Sequence, residues 1–129
     1  MLFSRKQSGD AAEEAAEKAL KKRGCRTIAR NYSSREGEID LIMREGQTLV
    51  FVEVRAKRSE KFGSPAESVT QAKQRRITRT AEHYLANEGA KYRQCPLRFD
   101  VVSIRLDETG KPVEVEHIPD AFGAPGGGW

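Results

Sequence analysis

Three acids, Glu38, Asp40 and Glu53, stand in the stretch GEIDLIMREGQTLVFVEVRAKR, Gly37 to Arg58, followed by Arg55, Lys57 and Arg58. The stretch reads as two strands joined at Gly46-Gln47. If those two residues make the turn, Glu45 pairs with Thr48. Asp40 then lies across from Glu53 and Glu38 across from Arg55, with facing Cβ atoms roughly 4.5–5.5 Å apart. A three-residue turn would slip the register and send Asp40 and Glu53 to opposite faces. Two facing carboxylates repel unless one is protonated, both are solvated, or a cation lies between them. A hard divalent cation such as Mg²⁺ or Mn²⁺ accepts such a pair, leaving its other positions to water and a phosphate. Arg55 would touch the same phosphate, which together is what metal-assisted phosphodiester hydrolysis needs. The plainer alternative is a Glu38–Arg55 salt bridge, with Asp40 and Glu53 merely solvated.

The elements that must position these groups follow from periodicity. On the second strand of the hairpin, Phe51, Glu53, Arg55 and Lys57 share one face, and Val50, Val52, Val54 and Ala56 share the other as core. On the first, Glu38, Asp40 and Ile42 oppose Ile39, Leu41 and Met43. A helix is expected from about Asp10, its cap, to Arg23, with Gly24 ending it. Its apolar stripe is Ala12, Ala15, Ala16, Ala19 and Leu20, with Glu13 on the border and Glu14 and Glu17 well off it. CRTIARNY predicts a strand, with Asn31 to Arg35 as a turn, and KFGSPAES a loop. A long helix is expected from about Ala66 to Asn87 or Glu88, its stripe made of Val69, Ile77, Thr80, Ala81 and Tyr84, with Ala72 and Leu85 at the edges. Lys73 falls in that stripe, where it either snorkels to the sheet's rim or points into the acidic pocket. Arg75 and Arg79 fall on the outer side, either as a solvated face or as a track for a phosphate backbone. LRFDVVSIRL and VEVEHIP complete an α-β-β-β-α-β-β order, a mixed α/β sheet flanked by helices.

The 129 residues suit one domain over 9–122, with a loose leader at 1–8 and a Gly-rich flexible tail at 123–129. Net charge is +4, but Arg55 to Arg79 alone carries +6 and the rest −2. A basic block in a folded domain favours a polyanion, since phosphate neutralisation supplies affinity without sequence readout. The same block would also serve as a solvated face. Cys25 and Cys95 lack the spacing of a zinc site or disulfide framework and are read as buried or half-buried thiols. His83 and His117 belong to no catalytic grouping. The N-terminus lacks an apolar run, so no signal peptide or membrane span is expected and a cytoplasmic location is the default.

GDAAEEAAEKALKKRG, NYSSREGEIDLIMREGQTLVFVEVRAKR, SVTQAKQRR and RFDVV resemble, in order, the YraN family of small bacterial proteins, from about Gly9 to Phe122. That family looks like the PD-(D/E)XK, restriction-endonuclease-like nuclease superfamily, with archaeal Holliday-junction resolvases among its closer-looking members. The resemblance implies a Mg²⁺- or Mn²⁺-dependent endonuclease acting on DNA, with branched DNA one candidate substrate. It matches Asp40 to the metal-binding aspartate, Glu53 to the acid of the E-x-K motif and Glu13 to the first-helix glutamate some members add to the metal. Lys73 and Gln74 match the polar pair on the following helix. Glu38 stands near the motif's proline, and Arg55 stands where the superfamily has lysine. Arginine stays charged and cannot shuttle a proton, though it can stabilise a pentavalent phosphate. On this reading Asp40, Glu53, Arg55 and Lys73 do the chemistry, and Lys57, Arg58, Gln74, Arg75, Arg76 and Arg79 hold the nucleic acid. A homodimer would suit a two-fold junction. Two rivals stand beside it: a nucleic-acid-binding module on a scaffold that no longer cuts, and a partner-binding protein.

Overall fold

The computed structural model describes residues 5–58 and 69–123, with side chains described from Gly9. A helix α1 (Arg5–Arg23) precedes strands β1 (Arg26–Ser34), β2 (Gly37–Glu45) and β3 (Thr48–Lys57). Helix α2 (Gln71–Ala86) then leads through a 3₁₀ turn at Ala90–Tyr92 to β4 (Leu97–Leu106) and β5 (Pro112–Phe122). The five strands lie in sequence order in one sheet. All neighbours are antiparallel except β3 and β4, which run parallel because α2 lies between them in the chain. The expected mixed sheet and α-β-β-β-α-β-β order are found.

Each face of the sheet carries its own core. Beneath α1, Ala12, Ala16 and Leu20 pack on Leu41, Met43, Val50, Val52, Val102 and Ile104. Beneath α2, Ile77, Ala81, Tyr84 and Leu85 pack on Ile39, Ile42, Phe51, Phe99 and Val101. Alternation along β3 and β4 therefore feeds two helices rather than one helix and solvent. Cys25 is buried and Cys95 half-buried, both as free thiols. No described helix is long and apolar enough to cross a membrane.

Several boundaries differ from expectation. Helix α1 starts at Arg5, so Asp10 lies within it instead of capping it, and part of the expected leader is helical. Glu17, expected off the apolar stripe, is buried, because β1 runs beside the helix and Arg30 and Thr27 bind its carboxylate. The expected turn at Asn31 is a kink inside β1. Asn31 takes φ 51°, open to asparagine, and pairing resumes at Tyr32 with Ile39. Ile39 joins the α2 core with Ile42, breaking the β2 alternation at Asp40. Ala56 is exposed and Val54 half-buried, since the α1 core ends near Val52. Helix α2 begins at Gln71, capped by Thr70, whose hydroxyl accepts the Lys73 N–H. The expected helix start at Ala66, the KFGSPAES loop and most of the Gly-rich tail lie outside the described residues.

Candidate functional site

The site forms where β2 and β3 part. Gly46-Gln47 makes the two-residue turn, with Glu45 opposite Thr48, and the ladder runs as far as Leu41 opposite Val52. Beyond it the next backbone donor, the Val54 N–H, is taken by the Asp40 side chain at 2.8 Å instead of by a strand. Asp40 thereby satisfies an edge amide and opens a cleft between the strands. The register places Glu53 beside it, as the two-residue turn requires.

Helix α2 roofs the cleft with its N-terminal half. Lys73 reaches down to Glu53, Nζ to Oε2 at 2.6 Å, and Arg55 Nη1 stands 3.6 Å from the same oxygen. Gly37, Glu38, Asp40, Glu53, Val54, Lys73, Arg76 and Ile77 enclose a cavity of about 330 Å³ open to solvent. That space takes several waters or a phosphate with its ester oxygens. Glu53 is buried, at 6% exposure, and its charge is met by Lys73. Among the described residues no cation is paired with Asp40. Burial, then the Glu53 charge, push its carboxyl up to about 8, against the opposing Val54 N–H.

Other candidates stand further out. Glu13 does not line the cavity. The Asn31 amide donates to its Oε1 at 2.8 Å and to Glu38 Oε1 at 3.2 Å, tying both acids to the β1 kink. Burial leads in raising the Glu13 carboxyl, with the charges of Glu38, Asp10 and Glu53 adding to it. Among the described residues no three His, Cys, Asp or Glu side chains converge to hold a metal. The expected trio of Glu13, Asp40 and Glu53 is thus reduced to a pair, because Asn31 holds Glu13 aside. That pair still has the donor chemistry of a Mg²⁺ or Mn²⁺ site: two hard carboxylates, one with no cation paired to it among the described residues, facing open space. The expected alternative, a Glu38–Arg55 bridge, is absent, since Glu38 binds Asn31 and Arg55 leans on Glu53.

On the outer surface, Arg75, Arg76 and Arg79 are exposed, and Arg79 Nε pairs with Glu36 at 2.9 Å. Gln74 turns inward to the helix start, its amide donating to the Val69 carbonyl. Lys57 is half-buried and Arg58 exposed at the end of β3.

A second polar cluster, on the α1 face of the sheet where Asp100 lies opposite Val52, has no counterpart among the sequence expectations. Asp100, with no exposed surface, accepts from Arg98 at 2.8 and 3.0 Å, from His117 Nε2 at 2.8 Å and from the Asp120 N–H at 2.9 Å. Glu45 bridges Arg98 and Arg23, and Arg23 also meets His117 Nδ1. A guanidinium only donates, so Nδ1 accepts and Nε2 carries the proton. His117, with no catalytic grouping in the sequence, is a structural partner. The one hint was an aspartate inside an otherwise apolar strand, RFDVV.

Fold and site together define a small mixed α/β domain with a carboxylate pair and converging cations at the cleft between two sheet strands. The chain matches the model of Uncharacterised protein family UPF0102 over residues 12–104. It is 42% identical over 122 residues to a UPF0102 protein of Pelotomaculum thermopropionicum, covering 95% of this chain and 100% of that one. It is 50% identical over 117 residues to the UPF0102 protein YraN of Escherichia fergusonii, covering 91% and 85%. The chain belongs to the UPF0102 family. A solved structure of Pyrococcus furiosus SfsA in complex with Ca²⁺ is similar at TM-score 0.40 and 14% identity. That match covers 89% of this chain, which spans 63% of the SfsA chain.

Proposed function

We propose that this protein is a metal-dependent endonuclease that hydrolyses phosphodiester bonds in DNA, with Asp40 and Glu53 holding Mg²⁺ or Mn²⁺. The observation that carries the reading is the carboxylate pair itself. Asp40 and Glu53 stand side by side at an open cavity, with Lys73 and Arg55 against Glu53 and, among the described residues, no cation paired with Asp40. A bound divalent cation supplies Lewis acidity and a water of lowered pKa. The chain supplies the rest. The Val54 N–H fixes the Asp40 carboxylate, and Lys73 fixes that of Glu53. Arg55 and Arg76 present permanent charge to a phosphate in the cavity, where it counts most as negative charge builds in the transition state. Arg55 holds its proton throughout, so it steadies charge and leaves proton transfer to water or Lys73. Exposed Arg75, together with Lys57 and Arg58, supports a grip on the backbone outside the cleft.

The rival reading is a nucleic-acid-binding module that does not cut. It is favoured by Arg55 in the place of a lysine and by Lys73 already paired with Glu53. Linear, flapped and four-way DNA incubated with Mg²⁺ or Mn²⁺ separates the two. An endonuclease cleaves at least one substrate and loses 100-fold or more in Asp40→Ala and Glu53→Ala, on the scale of removing a group that stabilises transition-state charge. DNA binding without cleavage selects the module. Cleavage undiminished in both variants overturns the site.

A further inference from the structure

The α2 face carries a second constellation with the same logic as the acid pair and the opposite charge. Arg26 and Arg44 are direct cross-strand partners in the β1–β2 ladder. Like charges set opposite each other destabilise a strand pair unless a counter-ion lies between them. Yet neither arginine has a carboxylate partner among the described residues. Arg44 donates to the Gly46 carbonyl at 3.0 Å and to Gln47 Oε1 at 3.1 Å, both neutral, so it is oriented while its charge stays uncompensated. Lys91 adds a third cation with no carboxylate partner, its Nζ 5.3 Å from the centre of the Tyr92 ring, and Arg44 Cζ lies 5.8 Å from the same ring. By contrast Arg23, Arg30, Arg79, Arg98 and Arg105 each bind an acid. Arg26, Arg44, Lys91 and Tyr92 line an open groove of about 500 Å³, in which Glu88 is the one acid and accepts the Tyr32 hydroxyl.

We propose that this groove is a second phosphate-contacting surface, which carries the backbone of a bound nucleic acid onward from the acid pair. The proposal rests on the nucleic-acid reading of the site. Arg44 is four residues along β2 from Asp40 and on the same side of the strand, about 14 Å away at strand rise. Along α2, Lys73 to Tyr84 spans about 16 Å. One backbone running from the acid pair to the groove covers that distance in a few phosphates. The Tyr92 hydroxyl and half-buried ring offer a further hydrogen bond and an edge for the sugar.

The test is binding of a fluorescein-labelled 30-base-pair DNA in EDTA across a salt series. The probes are the full chain, the exposed-residue variant Arg26→Gln/Lys91→Gln, its charge-preserving counterpart Arg26→Lys/Lys91→Arg, and Arg75→Gln/Arg76→Gln as a separate arm. The groove predicts that the Gln double variant lowers the slope of log affinity against log salt by about two, while the charge-preserving variant keeps it. An unchanged slope in the Gln variant, with binding weakened by Arg75→Gln/Arg76→Gln, overturns the groove and leaves the nucleic-acid reading standing. Equal loss in the charge-preserving variant assigns the effect to shape and also overturns the groove. A full chain that binds no DNA overturns both.

Discussion

Asp40 does two jobs that pull against each other. Its carboxylate closes the end of the β2–β3 ladder by accepting the Val54 N–H, and it faces Glu53 with no cation paired to it among the described residues. Folding therefore raises its pKa from the ordinary 3.8 to about 8, and the folded state holds a proton that the unfolded chain has released. The sign follows from linkage. Where the native state binds more protons than the unfolded state, stability falls as pH rises. The metal-free protein should lose stability between about pH 4 and pH 8 and level off above. Asp40→Asn keeps an acceptor for Val54 without the charge, so its urea midpoint at pH 8 in EDTA should lie above that of the parent. Mg²⁺ should raise the parent's midpoint at pH 8 and leave the variant's unmoved. A parent midpoint that is flat from pH 5 to 8 would count against the charge conflict. Much of this conflict was legible in the sequence, because a two-residue turn and strand alternation alone bring Asp40 to Glu53. The role of Asn31 was not, since its left-handed backbone and its grip on Glu13 and Glu38 depend on how β1 bends in three dimensions.

At the scale of elements, α2 is the piece that makes the cleft a site. It delivers Lys73 and Arg76 from its first turns and anchors itself by Tyr84 near its end. Tyr84 packs edge-on against Tyr32 and Phe51, with ring centres 5.0 and 6.3 Å away. The chain then folds back so closely that Gly89 donates its N–H to the Tyr84 carbonyl at 2.7 Å. A Cβ on Gly89 would stand 2.1 Å from Tyr84 Cε2. Since φ is −96° there, the demand for glycine is one of space alone. Gly89→Ala should therefore cost about 2 kcal/mol in the manner of an overpacked core. Tyr84→Leu in the same background should return part of that loss, measured by urea unfolding. Full additivity of the two changes would show that the ring is not what Gly89 avoids. A helix end at Asn87 or Glu88 was legible in the sequence, whereas the contact of Gly89 with the ring depends on the packing. Helix α2's buried face was legible as well, because Ile77, Thr80, Ala81 and Tyr84 recur at helical spacing. Helix α1 was misread at Glu17 because periodicity describes one helix and not the strand lying beside it.

Across the whole molecule the two faces of the sheet treat buried charge in opposite ways. On the α2 face Lys73 and Arg55 both stand against Glu53 while Asp40 is left to the Val54 N–H, a state of the kind functional sites keep and structural sites avoid. On the α1 face Asp100 is fully satisfied, and the cluster pins the irregular pairing of β4 with β5 between Phe99 and Val101. Burial pushes the Asp100 carboxyl up, but Arg98, the Asp120 N–H and His117 outweigh it and hold the group below 3.8. Its stabilisation is thus present above that value and lost as pH falls through the lower folded pKa, the reverse of Asp40. The metal-free protein should accordingly be most stable on the acid side of neutrality, where Asp100 is ionised and Asp40 still holds its proton. The two faces should also separate by mutation. Asp100→Asn leaves Arg98 short of its buried partner and should cost about 3 kcal/mol at pH 7. It should leave the salt slope of DNA binding unchanged in whatever fraction stays folded. Asp40→Asn should do the reverse, raising stability while removing the response to Mg²⁺. Urea unfolding of both variants at pH 5 and pH 8, with and without Mg²⁺, makes the comparison. If Asp100→Asn also abolished the Mg²⁺ response of the folded protein, the two clusters would be one coupled site rather than a functional face and a structural one.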